Sequence, residues 1–131
     1  MKMIENLTQE QLAAIFEVLP VDISFIDEND SVRFWNKHET RVFKRPLSVL
    51  GRSVQKCHPA QSLDKVNQII TDFKGGKRDS AEFWIDFHGM KLYIRYFGVR
   101  DSYGKYLGTL EVAQDIARIK TIEGEKKLLD A

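Results

Sequence analysis

Three consecutive segments in the second half of the chain have the pattern of β-strands joined by short turns. They are Ala81–His88, Lys91–Arg100 and Tyr106–Gln114, linked at Gly89 and at the polar run 101–104. Apolar and polar residues alternate in the first segment, as a strand with one buried face requires. The second is apolar on both faces, which predicts that other parts of the protein pack against each side of it. Strands with such short links pair antiparallel, so we expect a three-stranded meander that the rest of the chain covers.

Helices are predicted at both ends of the chain. Thr8 and Gln11 form a capping box at the start of the first helix, and Pro20 ends it, so residues 1–19 are interpreted as a cap helix. Beyond the last strand, apolar residues recur among lysines and glutamates and predict an amphipathic C-terminal helix or linker over 117–131. Short amphipathic helices need a partner, so we expect a homodimer that forms through the two terminal helices.

The core, residues 20–116, has two more strands and a central helix. Val21–Ile26 and Val32–Trp35 flank a polar turn and predict a hairpin. Apolar residues recur at helical spacing from about Gln61 to Phe73, which predicts a helix with one buried face. Together these elements predict an α+β architecture, with five antiparallel strands and helices gathered on one face.

Composition narrows the classes of protein that this chain can belong to. Its 131 residues suffice for one domain, and its net charge of +1 offers no basic surface for nucleic acid. The sequence has no apolar run near the ~20 residues that span a bilayer, so no membrane partner is expected. The single cysteine, Cys57, excludes an internal disulfide and fits a reducing compartment, which predicts a cytoplasmic location.

Four short motifs lie at residues 19–27, 32–36, 51–54 and 104–116. They resemble those of PAS domains and follow one another in that family's order. They resemble its first hairpin, the glycine loop before its middle helices, and its last strand with the junction that follows. The resemblance covers about residues 12–122, and Ala117 stands where the family usually has threonine. It implies the PAS fold, with a lid helix before the sheet and an exit helix after it.

A closer resemblance is to the C-terminal PAS domains of proteins of unassigned function that also carry a hemerythrin-like domain. The resemblance implies a sensory module for signal transduction, in which a small molecule binds between the sheet and the middle helices. The state of that pocket would reach helices at either end, often in a dimer. We therefore expect no enzymatic activity. The motifs for this branch are Cys57–Pro59, Phe83–Ile85, Tyr93–Phe97, Leu110–Ile116 and Glu123–Lys126.

Cys57 and His58 are the candidates for cofactor chemistry. Thiolate sulfur and imidazole nitrogen are good ligands for iron, so a heme or iron sensor is the alternative function. We favour the simpler interpretation, in which Cys57 packs as a small hydrophobe and His58 forms a hydrogen bond. A thiol enzyme with Cys57 as nucleophile is a third interpretation, which a lowered thiol pKa would support. The cofactor is therefore unassigned, with heme as the candidate, and one cysteine with three scattered histidines predicts no metal cluster.

Arg95 is a charge in the middle of an apolar strand. Its guanidinium suits a ligand carboxylate or phosphate, but we favour a salt bridge across the sheet. The carboxylates available for such a bridge are Glu82, Asp86 and Glu111. The complete set of predicted ligand-binding residues is Cys57, His58, Val66, Ile70, Ile85, Tyr93 and Arg95.

Overall fold

The structure is a computed structural model that describes residues 2–54 and 60–130, with side chains from residue 64 onward in the second range. Within these ranges it has two α-helices and five strands, and short 3-10 turns at Met3–Asn6, Leu47–Val49 and Ile119–Thr121. The helices are α1 (Gln9–Val18) and α2 (Ala60–Lys74), and the strands are β1 (Asp22–Asp27), β2 (Val32–Trp35), β3 (Ser80–Phe87), β4 (Met90–Arg100) and β5 (Tyr106–Asp115).

The five strands form one antiparallel sheet in the order β2-β1-β5-β4-β3. This confirms the predicted meander, hairpin and α+β architecture. The strand β5 lies at the centre and pairs with both β1 and β4, which joins the hairpin to the meander. Gly108 of β5 permits this pairing, because a Cβ atom there would lie 2.1 Å from the carbonyl oxygen of Ile26. An isolated glycine within a strand often marks such a close backbone approach.

The inner face of the sheet, which we define as the face toward α2, carries the core. Phe73 of α2 is fully buried and packs on Gly98, where an added Cβ would lie 3.4 Å from its ring. Leu92 and Ile94 alternate with Gly98 along β4 and are also buried on this face. Burial of each such side chain stabilises the fold by about 1.5–3 kcal/mol. These contacts fix α2 against β4 and β5.

The helix α1 lies against the opposite, outer face of the sheet. Its predicted capping box is present, since Thr8 accepts a hydrogen bond from the Gln11 amide and the Gln11 side chain accepts one from Thr8. Phe16 packs on Phe34 of β2 with ring centroids 5.3 Å apart. No residue of α1 is fully buried, so apolar packing holds this helix only loosely.

The strand β3 lies at an edge of the sheet and exposes apolar side chains on both faces. Phe83 and Ile85 on the inner face are 40% and 37% exposed, and Trp84 on the outer face is 61% exposed. Backbone groups along the far side of such an edge have no strand partner within the described chain.

The predicted C-terminal helix over 117–131 is wrong for the residues that the structure describes. Residues 117–130 contain only the 3-10 turn Ile119–Thr121. Gly124 has a φ of 66°, outside the helical region, and Leu128 and Leu129 are more than 90% exposed. A helix this short is marginal unless tertiary packing covers its apolar side, and a single chain provides no such cover. Within the described ranges, no helix is both long and apolar enough to cross a bilayer.

Candidate functional site

A small cavity lies between the inner face of the sheet and α2. Its volume is about 30 Å³, which is room for one or two water molecules. A larger guest therefore needs movement of the surrounding elements. Most of the wall is apolar, and its residues come from β1, β2, α2 and the segment between β2 and α2. They are Ile26, Val32, Val54, Val66, Ile69 and Ile70.

One end of the cavity is polar and is built around an ion pair. Arg45 Nη2 lies 3.3 Å from Glu111 Oε1, and both side chains are about 15% exposed. Glu111 projects from the central strand, and Arg45 comes from the segment between β2 and α2. The Nε atom of Arg45 is buried and has no hydrogen-bond partner among the described residues. A buried donor without an acceptor is costly, so this atom can bind an incoming acceptor.

Tyr96 adds a neutral donor to the same end. Burial raises the pKa of Tyr96 well above its usual value, and the Glu111 carboxylate, which accepts a hydrogen bond from the hydroxyl, raises that pKa further. The hydroxyl therefore stays protonated across the physiological pH range. Tyr96 holds Glu111 in place without adding charge to the cavity.

A buried chain of hydrogen bonds leads from the cavity to α1. Ser24 lines the cavity, and its hydroxyl oxygen accepts a hydrogen bond from Arg41 Nη2 at 2.9 Å. Arg41 Nη1 donates to the carbonyl oxygen of Asn36 at 2.8 Å. The Asn36 side-chain amide then donates to the carbonyl oxygen of Phe16 in the last turn of α1 at 2.7 Å. Ser24, Asn36 and Arg41 are at most 6% exposed, so the first two contacts are shielded from water, and the last one, to Phe16, is part-buried.

Asn36 and Lys37 together cap the C-terminal end of α1. The last carbonyls of a helix have no partner within the helix, and here side chains beyond β2 supply one. Asn36 also donates to Val21 and accepts from the Ile23 amide, while Lys37 Nζ donates to the Glu17 carbonyl oxygen at 2.9 Å. These polar contacts, rather than buried apolar area, tie α1 to the sheet.

The predicted ligand-binding residues do not all meet at the cavity. Val66 and Ile70 line it. Tyr93 and Arg95 lie on the outer face, because they alternate with the inward residues of β4, and Ile85 lies on the exposed edge strand. These three residues therefore do not line the cavity with Val66, and their part in ligand binding stays a prediction. The predicted ligands Cys57 and His58 lie outside the described residues.

The favoured salt bridge of Arg95 is also wrong among the described residues. Arg95 donates to Gln114 Oε1 at 3.2 Å, and its guanidinium lies 4.8 Å from the centre of the Tyr93 ring. Each carboxylate proposed as its partner has another one. Glu82 accepts from the Tyr93 hydroxyl, Asp86 pairs with Lys91, and Glu111 pairs with Arg45.

Sequence reasoning missed Arg45, and it named Glu111 only as one of three possible partners of Arg95. The two residues are 66 positions apart, so no local spacing relates them. A carboxylate within the apolar strand β5 was the available signal, since a buried charge usually needs a partner. Among the described residues, no three His, Cys, Asp or Glu side chains are grouped to hold a metal ion.

Comparison with known proteins gives a consistent result. A family model described as a PAS domain matches residues 12–117. A crystal structure of a C-terminal domain from Streptococcus mutans is 34% identical, with 89% of this chain and 91% of that chain covered and a TM-score of 0.83. Comparison with curated proteins finds no match.

Two more distant structures come from Vibrio cholerae. A sensory box sensor histidine kinase is 15% identical, with 86% of this chain and 90% of that chain covered and a TM-score of 0.58. The VqmA dimer, described as a LuxR-type receptor, is 25% identical, with 86% and 54% covered and a TM-score of 0.62. The closer resemblance to PAS domains of hemerythrin-like proteins stays a prediction.

Proposed function

Because this chain belongs to the PAS domain family, we propose that it is a sensory module that binds a small molecule between the inner face of its sheet and α2. Solved structures with the same fold include a sensor histidine kinase. The observation that carries the proposal is the apolar cavity with a buried donor, Arg45 Nε, that has no partner among the described residues. Apolar walls with a few converging polar groups are typical of small-molecule sites.

Ligand entry requires α2 to move at its N-terminal half. The C-terminal end of α2 is anchored, since Phe73 is fully buried and its carbonyl oxygen accepts a hydrogen bond from Arg100. Asp72 in the same turn pairs with Arg78 at 2.7 Å. Val66 lies two turns earlier and forms part of the cavity wall. An outward displacement of that part of α2 enlarges the cavity while the anchored end keeps the fold intact.

The signal would leave the pocket by two routes. The first is the hydrogen-bonded chain from Ser24 through Arg41 and Asn36 to α1, which supports a relay to the N-terminal helix. The second follows β5 into the C-terminal segment, where Asp115 Oδ1 accepts hydrogen bonds from the backbone of Lys91 and of Ala117. Both routes end in segments that expose apolar side chains.

Those exposed side chains support the proposed homodimer. Val18 of α1 is 77% exposed, and Ile122 in the C-terminal segment is 65% exposed. A second copy that packed against both would bury this apolar surface. We propose a cytoplasmic, non-enzymatic module of this kind. The heme alternative through Cys57 or His58 stays a prediction.

Native mass spectrometry of the purified chain tests the proposed function. We expect an adduct mass on the wild type, or a ligand from a small-molecule library that raises its melting temperature. Val66→Phe fills the cavity and should abolish either effect. Val18→Phe adds the same group at an exposed site and should leave both unchanged. The absence of any adduct and of any stabilising compound would count against a ligand-binding role.

A further inference from the structure

We propose that the molecule bound in the cavity is small and uncharged, and that Arg45 and Glu111 recognise it through an acceptor and a donor on adjacent atoms. This inference rests on the proposed function. Primary amides, lactams and similar neutral groups have this pairing of a carbonyl oxygen with an N–H.

Arg45 supplies the donor. Its Nη2 already lies against Glu111, whereas its Nε is buried without a partner among the described residues. An arginine has no acceptor atom, so a group that binds at Nε must present a lone pair. A carbonyl oxygen or a ring nitrogen meets this requirement.

Glu111 supplies the matching acceptor. One of its oxygens interacts with Arg45, and its carboxylate accepts from the Tyr96 hydroxyl. A carboxylate offers about four lone-pair sites, so capacity remains for a donor on the ligand. Because the two side chains are in contact, donor and acceptor on the ligand must be close together.

The charges around this end are already balanced. Arg41 and Arg45 are the cations, and Asp22 and Glu111 are the carboxylates near them. An anionic ligand would be attracted by the arginines but repelled by Glu111. A cationic ligand would be attracted by Glu111 but repelled by the arginines. A further charge would lose its hydration here without a free counter-ion, whereas a neutral amide meets no such cost.

The rest of the cavity selects for an apolar body. Val32 is almost fully buried there, and Val66 and Ile70 face it from α2. The polar side chains Ser24 and Thr109 also line the cavity, but they already form hydrogen bonds with Arg41 and Tyr106, so we expect the group attached to the amide to be a hydrocarbon. A branched alkyl amide should therefore bind more tightly than acetamide.

Three planar molecules of nearly the same shape test the charge preference: acetamide, acetate and acetamidinium. We would titrate each into the full ¹⁵N-labelled chain and follow the Arg45 Nε–H resonance by NMR, together with backbone amides of residues 64–70. Acetamide should shift the Nε–H resonance and bind about tenfold or more tightly than either ion, because each ion brings an uncompensated charge. Isobutyramide should bind more tightly than acetamide.

Arg45→Lys keeps the positive charge and removes the Nε donor. It should weaken acetamide binding about tenfold, while Arg33→Lys at an exposed position should leave it unchanged. Acetate binding as tightly as acetamide, no acetamide binding, or unaltered affinity in Arg45→Lys would each overturn the inference. The adduct and library measurements on Val66→Phe decide the proposed function separately, so a failure here can be distinguished from a failure there.

Discussion

Replacement of Asn36 by alanine should remove much of the attachment of α1 to the sheet. The Asn36 side chain is fully buried and makes three hydrogen bonds. It accepts from the Ile23 amide at 2.7 Å, and donates to the carbonyls of Phe16 at 2.7 Å and Val21 at 3.1 Å. Truncation leaves three backbone groups without this partner. Each backbone group that loses its hydrogen bond away from water costs about 1–2 kcal/mol of stability. We expect the free energy of unfolding to fall by about 3–5 kcal/mol in total.

Urea denaturation followed by circular dichroism measures this loss. A domain of this size is typically stable by about 5–15 kcal/mol, so the variant should still fold and give a transition with a lower midpoint and a similar slope. Hydrogen exchange measures the loss of stability separately in each helix and strand. Amides of α1 should lose more protection than those of β4, because the last carbonyls of α1 lose their cap while the inner core is unchanged.

The matched control is Asn29→Ala, which removes the same amide group from an exposed turn. It should change the stability by no more than about 0.5 kcal/mol. A loss below about 1 kcal/mol in Asn36→Ala, or equal loss of protection in α1 and β4, would refute the view that these hydrogen bonds hold the helix.

Three further outcomes are expected. Gly108→Ala should destabilise the chain by about 3 kcal/mol or more in a urea titration, because the new Cβ would lie 2.1 Å from the Ile26 carbonyl oxygen; a change under 1 kcal/mol would contradict this packing. Since burial raises the pKa of Tyr96, its contribution to stability should be complete below pH ~10 and decline as the pH rises through the raised pKa. Tyr96→Phe should therefore lose less stability than the wild type in alkaline melts, and parallel curves would disprove the effect. Addition of hemin should give no Soret band that depends on Cys57 or His58, and a band altered in Cys57→Ala or His58→Ala would restore the heme alternative.

Local pattern was enough to predict most of the fold. Alternation along β3 and the turn at Gly89 predicted the antiparallel pairing of β3 with β4. Thr8 with Gln11 predicted the start of α1. Both predictions depend only on residues that are close in the chain. The close approach at Gly108 was predictable for the same reason, since an isolated glycine in a strand usually marks such a contact.

The site was harder to predict because its geometry depends on distant residues. The strand β4 is apolar on both faces, so its period of two could not tell which face carries Tyr93 and Arg95. The ion pair of Arg45 with Glu111 depends on how the segment after β2 folds back over the sheet. The amphipathic pattern over 117–131 is typical of a helix whose apolar side packs against another element. Among the described residues no other element packs there, so the pattern alone did not predict the observed structure.

The edge strand β3 has a consequence for how copies of this domain meet in concentrated solution. If two copies joined this edge in antiparallel register about Trp84, Phe83 of one would face Ile85 of the other, the most favourable apolar match. The same register places Glu82 of each copy opposite Asp86 of the other. Like charges therefore repel each other wherever the apolar side chains align. The two carboxylates thus oppose two-fold pairing of this edge with a second copy, and Glu82→Gln together with Asp86→Asn should raise the fraction of dimer at high protein concentration.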